Sequence, residues 1–424
     1  MYIQGGSKMI KIRIPRFTLI LVGILIISAI CLTSCKNNGN DPAPAPTGVE
    51  SSEGLEFVLN EGGYNYTCVG IGTCTEANIV IDLYNGLPVT TVNEEAFDGN
   101  TTITSVTLGN NVKNISYNAF SNCSALTSVN IGDGVEGIGF YAFLNSGNIE
   151  SVKIGKNVSS IGYGAFTATS SLKEFSVDPE NVYYKSEGGH LYTADGTVLL
   201  HYALGKDSAS FILPEGVTTV WDLAFATSEK LVSVKLSDSV TSIGESAFVE
   251  CSALQSVNIP KGVTAIKKST FARCTSLSEI SIESKLEKIE EGAFYGCARL
   301  CEIKLPDSLT AIETRAFYGC DGLKEITVPG GVKEIIAETF AMCRGLKTII
   351  IKDGAQAVKK DAFDGCLGLV TLYLPATLTQ FDDAIQGSFQ LTDVYFAGSE
   401  EEFVAIVPNG YFNDVTVHYN YISE

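Results

Sequence analysis

The sequence predicts a mainly β solenoid of about 12 coils of 23 residues with parallel strands, a β-rich cap at each end and one hairpin insertion. Two observations predict it. Phenylalanine recurs every 23 residues from Phe97 to Phe166 and again from Phe225 to Phe363, and the one irregular step of 59 is 23 plus an insertion of 36. Each Phe also carries the same apolar company. An aliphatic stands five residues before it (Ile115, Ile243, Ile335), and apolar residues follow at +6, +9 and +11, as in Leu126, Val129 and Ile131. The V-x-I alternation has the period of a strand with alternate residues turned inward. One such coil buries little, whereas stacked coils share a continuous core. A degenerate twelfth copy has Ile385 in the Phe position and is one residue short.

The elements follow in chain order. Lys11 and Arg13 to Arg16 form a basic region, and Phe17 to Leu32 is apolar but short for a membrane span. The segment closes on Leu-Thr-Ser-Cys, residues 32–35. This resembles the lipobox of bacterial lipoproteins, which implies acylation of Cys35 as the new N-terminus, with residues 1–35 as signal peptide. Met9 is an alternative start, and an uncleaved membrane anchor is the second reading. Residues 36–53, rich in Pro and Asn, read as a tether that buries nothing. Residues 54–88 form the N-terminal cap, 89–390 the repeats and 391–424 the C-terminal cap; caps cover the core and sheet edge of the terminal coils.

The repeat Ala-Phe-x-x-Cys-x-x-Leu-x-x-Val-x-Ile-Pro resembles the leucine-rich repeats of BspA-like bacterial surface proteins over about residues 54–424. That resemblance implies a non-enzymatic adhesin contacting host matrix proteins, host cells or other bacteria. It places the chain in the bacterial envelope, at the outer membrane or cell surface, held through its lipid. A monomer is expected. Alternatives are a carbohydrate-binding envelope lipoprotein and a purely structural envelope protein.

The insertion, about residues 178–213, contains a hairpin around Ala194-Asp195-Gly196-Thr197, where Asp-Gly supplies the turn. Its Tyr183, Tyr184, Tyr192 and Tyr202 make either a binding patch or the private core of the excursion. His190 and His201 would face each other across it, yet no adjacent Cys or acidic pair completes a metal site. With His418 they are the only histidines, and no hydrolase or nucleotide-binding motif appears. No catalytic residue, metal or cofactor is assigned.

Seven cysteines (Cys123, Cys251, Cys274, Cys297, Cys320, Cys343, Cys366) fall at Phe+3, where other coils have Asn100, Ser146 or Thr169. Small residues filling a corner explain that set better than ligands do. Cys68 and Cys74 stand close together in the cap, and either a disulfide that staples it or two free thiols fits. Charge completes the reading. The chain carries −19, and its basic leader leaves residues 36–424 at −23, a surface that repels nucleic acid. At Phe+10, outside the core, the row is polar until Ile350, Tyr373 and Tyr395. At Phe+8, Glu279, Glu302 and Glu325 follow one another, and like charges one strand apart are unfavourable unless screened or bound. These six residues mark a candidate partner-binding surface; a solvated face is the alternative.

Overall fold

The computed structural model describes residues 46–407, 411–412 and 414–422. Cys35, the leader and most of the tether lie outside the described residues. The fold is a parallel β-solenoid of about 15 turns. Each regular coil contributes two strands, where the sequence pattern indicated one. The longer holds the V-x-I residues, as in Ser105–Leu108, Ser128–Ile131 and Ser151–Ile154, with Val106, Val129 and Val152 in parallel register. The shorter, such as Asn114–Ile115 and Gly137–Ile138, carries the aliphatic five before the Phe. Two residues are too few to show a period of two, so this second ladder left no separate signal.

Between the ladders the Phe rings stack inside the coil. Neighbouring centroids from Phe225 to Phe363 are 4.7 to 5.5 Å apart and the rings are close to parallel. Nearly all are inaccessible to solvent. The corner that delivers the ring uses left-handed backbone on both sides of it. The residue two before the Phe has φ of 53° at Asn118, 57° at Tyr141 and 59° at Leu223; the residue two after has 55° at Asn122, 64° at Thr227 and 70° at Gly296. Gly and Asn recur at the second position because they tolerate that region.

The Phe+3 slot has a hydrogen-bonding role. Cys274 Sγ donates to Phe248 O at 3.0 Å, Cys343 Sγ to Phe317 O at 3.0 Å and Cys123 Sγ to Phe97 O at 3.2 Å. Ser146 Oγ does the same to Phe120 O at 2.8 Å. Cys and Ser donate to the same carbonyl there, which accounts for their exchange between Cys123 and Ser146. Burial pushes the Cys123 thiol up to about 12, so it remains protonated.

The insertion is shorter than its sequence span. The hairpin His190–Thr193 with Val198–His201 forms around the expected turn, Asp195 accepting from the Thr197 amide at 2.9 Å. At Tyr202, however, the chain is already back in register. Tyr202 takes the Phe position, donating its amide to Ala224 O and stacking on Phe225 at 5.2 Å, and Phe211 pairs with Val234. Residues 202–213 are therefore a coil rather than part of the excursion. The cue was available, since Tyr202 lies 23 before Phe225.

The excursion splits the core into two clusters, one ending at Leu191 and the other beginning at Tyr192. His201 bridges this seam. Its Nδ1 is 2.7 Å from Tyr202 O and its Nε2 is 2.9 Å from Phe166 O, the carbonyls of the two rungs on either side. His201 thus occupies the carbonyl that Ser228 would otherwise reach, and Ser228 Oγ is buried without a partner among the described residues.

The long ladder is also interrupted once in the second half. Strand Glu279–Ile282 and strand Glu325–Val328 flank a coil whose residues 301–305 form no strand. Glu279, Glu302 and Glu325 stand there on consecutive coils, and the middle one is where the ladder opens. Ile280 and Ile282, whose counterparts are buried in most coils, are only partly covered.

At the N-terminal end, residues 47–52 do not behave as tether. Ser51 N donates to Leu83 O at 2.7 Å, Ser52 N to Val80 O at 2.9 Å and Val49 N to the buried Asp82 at 2.9 Å. Cys68 and Cys74 are both buried free thiols, without a disulfide between them. At the other end a helix, Glu400–Ile406, covers the last coil with Phe403. Ser399 and Glu402 cap it reciprocally, the Ser-x-x-Glu signature of a helix start.

Candidate functional site

The row at Phe+10 is built by the parallel register of the last long strands. Thr327 pairs with Ile350, Ile350 with Tyr373, Tyr373 with Tyr395, and Tyr395 with His418. The structure thus brings Ile350, Tyr373 and Tyr395 together as one line and adds His418 as the next rung. That rung was legible, because His418 lies 23 after Tyr395. Tyr373 and Tyr395 stack at 4.7 Å and 13°, and Tyr395 and His418 at 4.3 Å and 11°. Tyr421 leans on both tyrosines at 5.3 Å. All five side chains of the cluster are partly buried.

His418 Nε2 sits 3.0 Å from Asp393 Oδ1, and Thr392 Oγ1 donates to Asp393 Oδ2 at 2.7 Å. These contacts, His418 first, hold the Asp393 carboxyl below its ordinary range. Glu279, Glu302 and Glu325 lie exposed two positions away along the chain on earlier coils, and Glu302 is 3.6 Å from Lys304. The arrangement is an aromatic strip bordered by Thr348, Thr371 and Asp393, with the glutamate row on the coils before it. It offers contact area and charge rather than a reaction chamber.

The four insertion tyrosines do not form a patch. Tyr192 and Tyr202 are buried in the core, Tyr202 stacked on His190 at 4.4 Å; Tyr183 is exposed, and Tyr184 is half covered with its hydroxyl donating to Ser159 O. Tyr192 is therefore buried by the hairpin's packing on the rod, whereas Tyr202 belongs to the ring ladder of the solenoid itself. His190 and His201 are both buried and point into packing, with His190 Nδ1 accepting from the Ala203 amide at 3.1 Å. Desolvation lowers each to about 4. Among the described residues no three His, Cys, Asp or Glu side chains are placed to hold a metal ion. One cysteine escaped the sequence assignment: Cys301, at Phe+7, is exposed beside the open ladder.

A model of the BspA-type leucine-rich repeat region matches in six copies, over residues 82–187, 204–321 and 271–393. The chain belongs to the BspA-type leucine-rich repeat family. No curated protein matches it. Among solved structures, a leucine-rich repeat protein of Eubacterium ventriosum is 21% identical with a TM-score of 0.55, covering 80% of this chain and 94% of that one. One from Bacteroides ovatus is 18% identical with a TM-score of 0.41, covering 87% and 98%. The pneumococcal vaccine antigen PcpA is 16% identical with a TM-score of 0.38, covering 88% and 96%. The first of these shows a shared leucine-rich repeat fold. Among the described residues, no helix is long and apolar enough to cross a membrane.

Proposed function

We propose that this BspA-type chain is a surface-displayed adhesin, anchored through lipid on Cys35, that binds protein partners of a host matrix, a host cell or another bacterium. The observation that carries the reading is the continuous row Ile350, Tyr373, Tyr395 and His418 on the outer face. Membership of the BspA-type leucine-rich repeat family supports it. A rigid rod with an apolar strip suits protein contact, where aromatic residues contribute most of the binding energy. The carbohydrate alternative is weakened by geometry. Sugars lie flat on ring faces, and the facing sides of Tyr373, Tyr395 and His418 are occupied by one another.

The test is binding of the full chain, in nonionic detergent, to immobilised matrix proteins at physiological salt. Saturable binding that weakens at least 10-fold in Ile350→Ser/Tyr373→Ser/Tyr395→Ser is expected. A folded variant that binds as well as the parent would remove this face from the proposal. Binding to a glycan array alone would replace the protein partner with a sugar.

A further inference from the structure

A second aromatic surface lies in the N-terminal half, on the corner that precedes the Phe ladder, and the 23-residue pattern gave no hint of it. Tyr117, Phe140, Tyr141, Tyr163 and Trp221 occupy the three positions Phe−4 to Phe−2 on successive corners. Phe140 is 58% exposed, Trp221 47% and Tyr117 41%, in a fold that buries most of its other rings. Tyr117 meets Tyr141 edge to face at 6.1 Å and 80°, and Tyr141 meets Tyr163 at 5.6 Å and 89°. Unlike the parallel stack at the far end, this packing does not lay the rings face against face.

The insertion brings the corners of Tyr163 and Trp221 next to each other. Its coil has a shortened corner, so Gly162, Gly164 and the loop 221–223 line a shared cavity of about 30 Å³, with Thr167 and His201 among the other walls. Gly164 is required there at φ 66°, since a Cβ would stand 2.5 Å from the Tyr141 ring and 3.3 Å from Leu223. Thr167 is 6% exposed, and its hydroxyl, on the cavity wall, has no partner among the described residues. That space holds no more than one or two water molecules. It is therefore a polar notch in the floor of the strip rather than a ligand pocket.

Charge identifies what the strip would take. Glu94 and Glu95 precede it, and Asp222 and Glu245 end it. From residue 93 to residue 246 the same three corner positions hold no lysine or arginine. Lys113, in the flanking row, is paired with Glu136 at 3.3 Å, and Lys268, on the coil beyond Glu245, with Glu291 at 2.6 Å. The Tyr163 hydroxyl is raised to about 12 by burial first, and then by Tyr141, Asp222 and Glu245, so both carboxylates bear on the rings.

We propose that this strip is a docking surface for a lysine- or arginine-rich segment of a partner protein. The basic groups would lie over the rings of Phe140, Tyr163 and Trp221, with Asp222 and Glu245 accepting their hydrogen bonds. Cations are attracted to aromatic faces, most of all Trp, and the guanidinium fork matches a carboxylate. The charge of −23 over residues 36–424 would draw such a segment in. The surface is separate from the row at Ile350, Tyr373 and Tyr395, so either can fail without the other.

Trp221 is the only tryptophan in the chain, which makes its fluorescence a local reporter. An oligoarginine peptide is titrated into the full chain in nonionic detergent at physiological salt while Trp221 emission is followed. A saturable change is expected. It weakens at least 10-fold in Tyr117→Ser/Phe140→Ser and several-fold, with a shallower salt dependence, in Asp222→Asn/Glu245→Gln. The equal charge change Glu61→Gln/Glu287→Gln, outside the strip, leaves it unaltered. No saturable change, or equal weakening by both carboxylate pairs, overturns the proposal. So does a response to a neutral chito-oligosaccharide in place of the peptide. The carboxylate pair keeps the test decisive if the aromatic variant is poorly folded.

Discussion

Thr227 holds a left-handed backbone at φ 64°, a region that a β-branched side chain occupies only under strain. The corner geometry imposes it, because the same position is Gly99, Gly296, Gly319 and Gly365 in other coils, all at positive φ. Left-handed backbone costs an L-residue about 1–2 kcal/mol, and glycine's extra freedom when unfolded returns about 0.5–1 of that. Thr227→Gly is therefore expected to stabilise the chain by about 0.5–1 kcal/mol, read as a higher urea midpoint at unchanged slope. A lower midpoint would mean that the Thr227 hydroxyl, which donates to Ala226 O at 2.6 Å, outweighs the strain. The Gly and Asn of this position were visible in the sequence. Their meaning was not, because the Ala-Phe pair beside them drew the repeat alignment to the ring. The Cys ladder shows a similar division: its spacing marked a corner filler, and only the Sγ to carbonyl contacts reveal a donor.

At the scale of elements the seam is the least uniform part of the rod. A neutral imidazole has one N–H, while His201 stands against two carbonyl oxygens, so one contact lacks its proton at neutral pH. Those carbonyls favour the charged form, but burial prevails and the pKa falls to about 4. His190 falls likewise, by burial first and then by Lys206 and His201. An unfolded histidine titrates near 6.5, so between pH 6.5 and 4 the unfolded chain binds protons that the folded chain refuses. Stability is therefore constant from these groups above pH 6.5 and is lost as pH falls toward 4, by about 3 kcal/mol for each histidine. Urea unfolding of the parent and of His190→Gln/His201→Gln across that window checks it. Parallel profiles would show that the seam histidines do not titrate differently on unfolding. The hairpin of this seam was legible from Asp-Gly and its flanking alternation. The return to coil register at Tyr202 was equally legible from spacing, and was hidden only because Tyr replaces Phe.

For the whole molecule, the described residues make one rod whose acidic surface carries two aromatic strips, one on the corners of the first half and one on the long strands of the last coils. Attachment belongs to this scale as well. Cys35→Ala is expected to abolish incorporation of labelled palmitate and to release the chain from the membrane fraction. Retention of the unlabelled variant there would favour an uncleaved apolar anchor over the lipid.

The sequence by itself determined the solenoid, the identity of its inward residues and the line of Ile350, Tyr373 and Tyr395, because a 23-residue period, one residue short only at the twelfth copy, makes neighbours in space out of positions in register. It also contained His418 and Tyr202 on the same arithmetic. Only the tertiary structure decided what departs from the period. The seam, the open ladder at residues 301–305 and the approach of the Trp221–Leu223 loop to Gly164 across the insertion depend on how far a looped-out segment lets two coils approach. That distance is set by packing and hydrogen bonding between segments remote in the chain, and no local pattern encodes it.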